Sequence, residues 1–354
     1  MPEEILPLLK DLIQLPGLSG FESSVHDRIR EAWEPLVDKI EFSRLGSLHT
    51  LKLGSGHDPR PCVLLAAHMD AIGLMVNQVV DGFLRLTAIG EIDARVLPGQ
   101  PVIVHGREDL PGLILQPPAA CLPERKDKEP VALEHLLVDL GLPPRRVARL
   151  VRPGDPVSFA QPPLELGAKN LAGHSLDNRA SIVALTICLR ELQSREHVWD
   201  LVAAATTQEE ETFGGAITSA FALRPDVAVA VDVTFGYSPG SAEHKTYPLG
   251  KELTNGLGPS IHPAIHRAIN QAAERGEIPL TTEVMPRRSG TDADALQLAA
   301  EGIPTGAVSI PLRYMHTPVE VVSLIDIRRT GRLLAEFVAG LEPEFVDRSH
   351  GIRQ

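Results

Sequence analysis

Hydrophobic residues at Ile5, Leu8, Leu9, Leu12 and Ile13 recur at helical spacing, and Pro16-Gly17 predicts where that helix stops. Ser19 and Glu22 have capping-box spacing ahead of a second helix expected to reach about Pro35. Strand-like runs follow at Ile40–Leu45, Leu48–Leu53 and Cys62–Ala67. After Ile72 the texture changes. Short apolar runs (GLMVNQVV, FLRLTAI, PVIVHG, GLILQ, DPVSFA) are divided by Gly, Pro and Asp turns, which predicts a small β-barrel or sandwich up to about Leu164. A short helix is expected within it over Ala132–Leu140.

From Gly167 the chain alternates again. Ile182, Leu185, Leu189 and Leu192 predict a helix, LVAAATT a strand, GGAITSAFAL a helix and VAVAVDV a strand. IHPAIHRAINQAA and DADALQLAA read as helices, TTEVM and GAVSI as strands, and DIRRTGRLLAEFVAGL as a closing helix. Such alternation implies an α/β fold with a mostly parallel central sheet flanked by helices. The simplest organisation is one α/β domain made of 1–71 and 165–354, split by an inserted β module at 72–164.

Composition narrows the partners. The 354 residues carry 34 basic and 46 acidic side chains, a net charge of −12 that disfavours nucleic acid and anionic membranes. No apolar run approaches the ~20 residues of a membrane span. The start MPEEILPLLKDLIQL has acids where a secretory signal would carry bases, and the expected setting is cytoplasmic. Cys62, Cys121 and Cys188 form no CxxC pair and are expected to be buried apolar residues rather than ligands.

The chemistry-bearing residues gather at strand ends. His68 and Asp70 follow VLLAA, Glu209 and Glu210 follow LVAAATT, Asp232 is near the end of VAVAVDV, and His316 comes soon after GAVSI. Asp177 begins the helix after the inserted module. Singly, each has a structural reading as a helix cap or a satisfied polar residue. Together they fall at the carboxyl edge of one sheet, where sites form in open parallel sheets. Imidazole and carboxylate donors without cysteine suit zinc, cobalt or manganese. His68, Asp177, Glu210, Asp232 and His316 offer three negative charges, which two divalent ions and one hydroxide neutralise. Two ions bridged by one carboxylate therefore fit better than one. Of the adjacent glutamates, one can bind metal while its neighbour takes a proton from water. Glu211 has no assigned task and reads as a surface residue or one that supports the site from outside the ligand set.

The segments AAHMDAIG, LDNRAS, TTQEEETFGGA, VDVT and SGTDADALQLAAEGIPTGAVSIPLRYMHTPVEVV resemble the tetrahedral aminopeptidases. These are co-catalytic metallopeptidases with glutamyl, leucyl and lysyl members, some labelled endoglucanases. The resemblance runs nearly end to end. It implies that His68 and Asp232 hold one metal, Glu210 and His316 the other, and that Asp177 bridges them. Glu209 would be the general base, with Asp70 orienting His68. It also implies a phosphorylase/hydrolase-like catalytic fold with an inserted β-barrel that mediates oligomerisation, twelve subunits forming a hollow tetrahedron. The substrates would be short peptides with a free N-terminus. Ala71, Asn178 and Gly214 depart from residues frequent in the family, although none is a ligand or the base.

Two rival classes stand beside this reading. Paired carboxylates could cleave a glycoside, although 4% aromatics and two tryptophans offer little sugar platform. A non-catalytic shell protein stabilised by metal would need no spare base beside its ligands. Arg287, Arg288 and Arg313 could meet an acidic substrate side chain, and otherwise read as surface or interface residues. His262 and His266, four apart on one helix, lack a third ligand and read as surface or packing residues.

Overall fold

A computed structural model describes residues 5–122 and 130–345. Residues 1–4, 123–129 and 346–354 of the expected domains lie outside this range. The central sheet has eleven strands, and its middle is parallel. Cys62–His68 lies between Asp200–Thr206 and Val227–Phe235, and Val227–Phe235 continues into Thr305–Arg313. Both margins are antiparallel. Leu48–Leu51 and Lys39–Phe42 extend one side, and Glu320–Ser323, Asn170–Gly173 and Leu164–Leu166 the other. Leu253–Leu257 branches from Thr305–Arg313 and carries Leu280–Val284. The α/β class holds, while the sheet as a whole is mixed.

Side-chain alternation along the buried strands feeds two cores. Val63, Leu65 and Ala67 enter the larger one, under the helices Ile5–Gln14, Ser23–Trp33, Leu176–Glu191 and Leu324–Ala339. Leu64 and Ala66 face the other side, where Ala204, Ala216, Ala220, Ala228, Ala230 and Ala307 let the short helices approach closely. The inserted segment closes into a six-stranded antiparallel barrel. Its strands are Gly73–Val80, Phe83–Ile89, Pro101–His105, Asp109–Leu115, Leu137–Asp139 and Pro156–Phe159. Leu74, Val76, Leu84, Val102, Val104, Ile114, Val138 and Val157 fill it as a separate core.

Several local expectations change. Over Ala132–Leu140 there is one 3-10 turn, Leu133–His135, and then the barrel strand Leu137–Asp139, because Val138 is needed inside the barrel. The helix in the insert is instead Pro144–Leu150. The Ser19/Glu22 pair makes no capping box: Glu22 occupies the N-cap position of Ser23–Trp33 without a side-chain cap bond. Its carboxylate is drawn away to the backbone N–H groups of Gly20 and Gln208 and to the Thr207 hydroxyl. Among the thiols only Cys188 is buried; Cys62 is intermediate and Cys121 exposed.

The helices Leu176–Glu191 and Leu324–Ala339 pack closely at Gly331, where a Cβ would stand 2.6 Å from the Ala184 carbonyl oxygen and 2.5 Å from Ile187 Cβ. Gly331→Ala therefore sets a helix-propensity gain of about 1 kcal/mol against an overpacking cost of about 1–3 kcal/mol. Because backbone is one of the two obstacles, the clash prevails. A lower urea midpoint is expected, and an unchanged or higher one would show that the helices separate freely.

Candidate metal centre

The ligand candidates reach one cavity because five chain segments end, turn or begin at the same sheet edge. His68 closes its strand opposite Thr206 of the neighbouring parallel strand, and Asp232 sits beside Ser309. After Thr206 the chain turns sharply: Gln208 takes a left-handed conformation, φ 58°, ahead of the single helical turn Glu209–Thr212. For a residue with a Cβ that conformation costs roughly 1–2 kcal/mol, and here it lets adjacent glutamates serve one cavity. His316, φ 61°, turns in the same way. Asp177 is no helix cap: it and Asn178 have non-helical backbone at the start of Leu176–Glu191, which aims the carboxylate at the imidazoles.

Asp177 divides its oxygens between the two histidines. Oδ1 is 3.1 Å from His68 Nε2 and Oδ2 is 3.5 Å from His316 Nε2. On the His68 side, Asp232 Oδ1 lies 3.7 Å from Nε2; on the His316 side, Glu210 Oε2 lies 3.5 Å from Nε2. Ligand atoms of His68, Asp177 and Asp232 all fall within 4.8 Å of one another, as do those of Asp177, Glu210 and His316. Glu209 Oε2 is 3.8 Å from His68 Nε2, and its side chain lines the cavity. All seven residues predicted for the site are brought together.

Electrostatics supports a cation-binding role. Burial drives the Glu210 carboxyl well above its ordinary 4.5, and Asp177 adds to the shift. Burial does the same at Glu209, outweighing the attraction of His68. Asp232 is raised chiefly by burial. Burial opposes ionisation of Asp177 too, yet His316 and His68 hold its carboxyl well below the usual range. Burial disfavours an imidazolium at His68, but Glu209, Asp177, Asp232 and Asp70 outweigh it and keep the ring protonated well above 6.5. Glu210 Oε1 is buried without a hydrogen-bond partner. Carboxylates forced together and an orphaned oxygen among imidazoles suit a pair of divalent ions, with Asp177 facing both positions.

Supporting residues were less legible. Glu320, 1% exposed, accepts the backbone N–H of Asp177 through one oxygen and of His316 through the other, at 3.1 and 3.2 Å. Its signal was an acid inside the apolar run PVEVV. Asp70 does more than face His68. Its oxygens accept the N–H groups of Glu209 and Glu210 at 3.0 and 3.2 Å, while His68 Nδ1 lies nearer the Asp70 carbonyl, 3.1 Å, than its carboxylate, 3.5 Å. Arg179, fully buried, donates to the carbonyls of Leu12, Leu15, Gly17 and Met69. Burial pushes its guanidinium down to about 10, opposed by Asp70, Glu320 and Glu22. Asp292, also buried, accepts the Thr206 hydroxyl, and burial raises its carboxyl to about 7.

Glu211 supports the site from outside the ligand set: it accepts the N–H of Gly90 at 2.6 Å, joining the loop after the barrel strand Phe83–Ile89 to the site. Asn178 donates to the Val231 carbonyl, and Ala71 is buried, its backbone pairing with Gly17 and Ser19. At Gly214 a Cβ would stand 2.9 Å from Thr212 Oγ1, so its small size suits the tight turn. His266 bonds the Gly256 carbonyl and Asn270, and His262 accepts from Ala264 N; both are structural. Arg287 and Arg288 line a different cavity, and Arg313 donates to the Tyr237 carbonyl. Among the described residues, no helix is long and apolar enough to cross a membrane.

A mixed α/β sheet with an inserted barrel and a two-position His/Asp/Glu cluster defines a dinuclear metallohydrolase. The profile of the M42 glutamyl aminopeptidase family matches residues 46–333. The chain is 33% identical to the lysyl aminopeptidase of Pyrococcus furiosus over 342 residues, 95% of this chain and 97% of that one. It superposes with a TM-score of 0.92 on the TET aminopeptidase of a marine sediment Thaumarchaeota archaeon, at 28% identity, covering 98% and 99% of the two chains. The TET1 peptidase of Pyrococcus horikoshii, described as assembling into a tetrahedron or a large octahedral shell, gives 0.82 at 29% identity, covering 95% and 100%. The chain belongs to the M42 family and is a metallo-aminopeptidase with a dinuclear site.

The raised groups fix the sign of a pH effect. In chelator-treated protein, Glu209, Glu210, Glu320, His68 and His316 bind protons more tightly folded than unfolded, as does Asp292 with its value near 7. Their stabilisation is present at low pH and lost as pH rises. His49 and His174, buried neutral, act oppositely only below 6.5, and Asp177 only below 3.8. The melting temperature should therefore fall between about pH 6.5 and pH 8.5 and recover when a divalent ion is added. A flat or rising profile would contradict the charge arrangement.

Proposed function

We propose that the enzyme releases the first residue of short peptides with a free N-terminus, with Glu209 as general base. His68 and Asp232 would hold one ion, Glu210 and His316 the other, and Asp177 would bridge them. Bound there, the ions supply Lewis-acid polarisation of the scissile carbonyl and a water of lowered pKa. Zinc or cobalt fits the nitrogen and oxygen donors, and manganese is acceptable. Glu209 takes a proton from the attacking water while the water oxygen bonds to the carbonyl carbon. It returns that proton to the amine nitrogen as the C–N bond breaks. Asp70 fixes the turn carrying Glu209 and Glu210, and Glu320 fixes Asp177 and His316.

The observation that carries this reading is the division of Asp177 between two imidazoles with Glu209 beside them on the cavity wall. A glycosidase has less support: Phe213 and Phe235 are the only aromatics among the described residues lining the cavity, and that chemistry needs neither histidine. From the likeness to the Pyrococcus horikoshii peptidase, we extend the proposal to a tetrahedral dodecamer assembled through the 72–164 module. A cytoplasmic setting suits three free thiols.

Glu209→Gln should lower kcat on aminoacyl-nitroanilides by roughly 10²- to 10⁴-fold while elemental analysis still finds two ions per chain. Acetylating the substrate's amine should abolish cleavage by the wild type. Full turnover by the variant would remove Glu209 from the role of base, and cleavage of blocked substrates would point to an endopeptidase or deacylase.

A further inference from the structure

The cavity beside the ligand cluster has a volume of about 390 Å³ and extends past it to Thr234, Phe235, Glu283 and Met285. Glu283 and Met285 are two residues apart on an extended segment and face the cavity, whereas Val284 between them is 70% exposed on the other side. The Glu283 carboxylate is clamped. The buried hydroxyls of Thr234 and Thr254 each donate to a different one of its oxygens, both at 2.7 Å. Each oxygen keeps a further acceptor direction, and no ion pair among the described residues reaches it. No lysine or arginine among the described residues lines this cavity. At this end of the cavity an acidic substrate side chain would meet the Glu283 carboxylate with no lysine or arginine to offset it, and an aliphatic one would leave Glu283 buried without a counter-charge.

Resting on the aminopeptidase reading, we propose that Glu283 selects the residue to be removed by receiving the cationic end of an N-terminal lysine or arginine. The methylene stem would lie against Phe235 and Met285. Glu283 is thus a specificity-determining residue, separate from the ligands and from the base. The arrangement favours basic N-termini even though the family profile carries the glutamyl name.

The test compares kcat/KM for lysyl-, arginyl-, norleucyl- and glutamyl-nitroanilides using metal-loaded wild type and Glu283→Gln. Calorimetry with free L-lysine and L-norleucine gives a second readout. Wild type should prefer lysyl over norleucyl by about 10- to 100-fold, with glutamyl last. Glu283→Gln should erase most of that preference through KM, leave norleucyl within about threefold, and weaken L-lysine binding but not L-norleucine binding. A wild-type preference for norleucyl or glutamyl needs no variant to overturn the proposal. A common loss on every substrate, the mark of a merely structural Glu283, would overturn it as well. Either result leaves the aminopeptidase reading intact, whereas failure to cleave any of the four unblocked substrates removes both.

Discussion

Bringing Asp177, Glu209, Glu210 and Asp232 into one buried cavity costs electrostatic free energy that apolar packing cannot offset locally, because each buried carboxylate resists ionisation and repels the others. His68 and His316 supply part of the compensation by holding Asp177 ionised. A pair of divalent cations supplies the rest, and the geometry anticipates it by presenting the two oxygens of Asp177 to different imidazoles. Stability, ion binding and proton transfer in this protein all draw on that concentrated negative charge.

The scaffold's task is to keep the charges from relaxing apart. Asp70 grips the backbone of Glu209 and Glu210, and Glu320 grips that of Asp177 and His316. Arg179 lies behind them in the interior, its four carbonyl contacts tying the first helix and the loop after it to the strand end carrying His68. The left-handed turns at Gln208 and His316 are strained conformations that such clamps maintain. The barrel contributes at the rim: Glu91, in the loop after the strand Phe83–Ile89, lines the cavity, and Glu211 secures that loop through Gly90.

Much of this was legible in the chain. Period and alternation located the main helices and parallel strands, and the change of texture after Ile72 announced the barrel. The ligand candidates were visible because acids and histidines at the ends of apolar strands are conspicuous. Less legible were residues whose importance depends on a partner distant in sequence. Glu22 had capping-box spacing, yet its carboxylate serves Thr207 and Gln208. Glu283 looked like an ordinary strand residue until Thr234 and Thr254 closed on it, and Glu320 carried only the oddity of an acid between valines.

The sequence by itself determined the class of fold, the kinds of donor atom and the excess of acid at one sheet edge, because these follow from local periodicity and residue chemistry. Only the tertiary structure decided which oxygen faces which imidazole, which carboxylates clamp backbone and which face the cavity. Those distinctions rest on distances of a few ångströms between segments more than a hundred residues apart, as between His68 and Asp177. Hydrogen bonds and ion pairs act over just that range, and no pattern along a single chain records it.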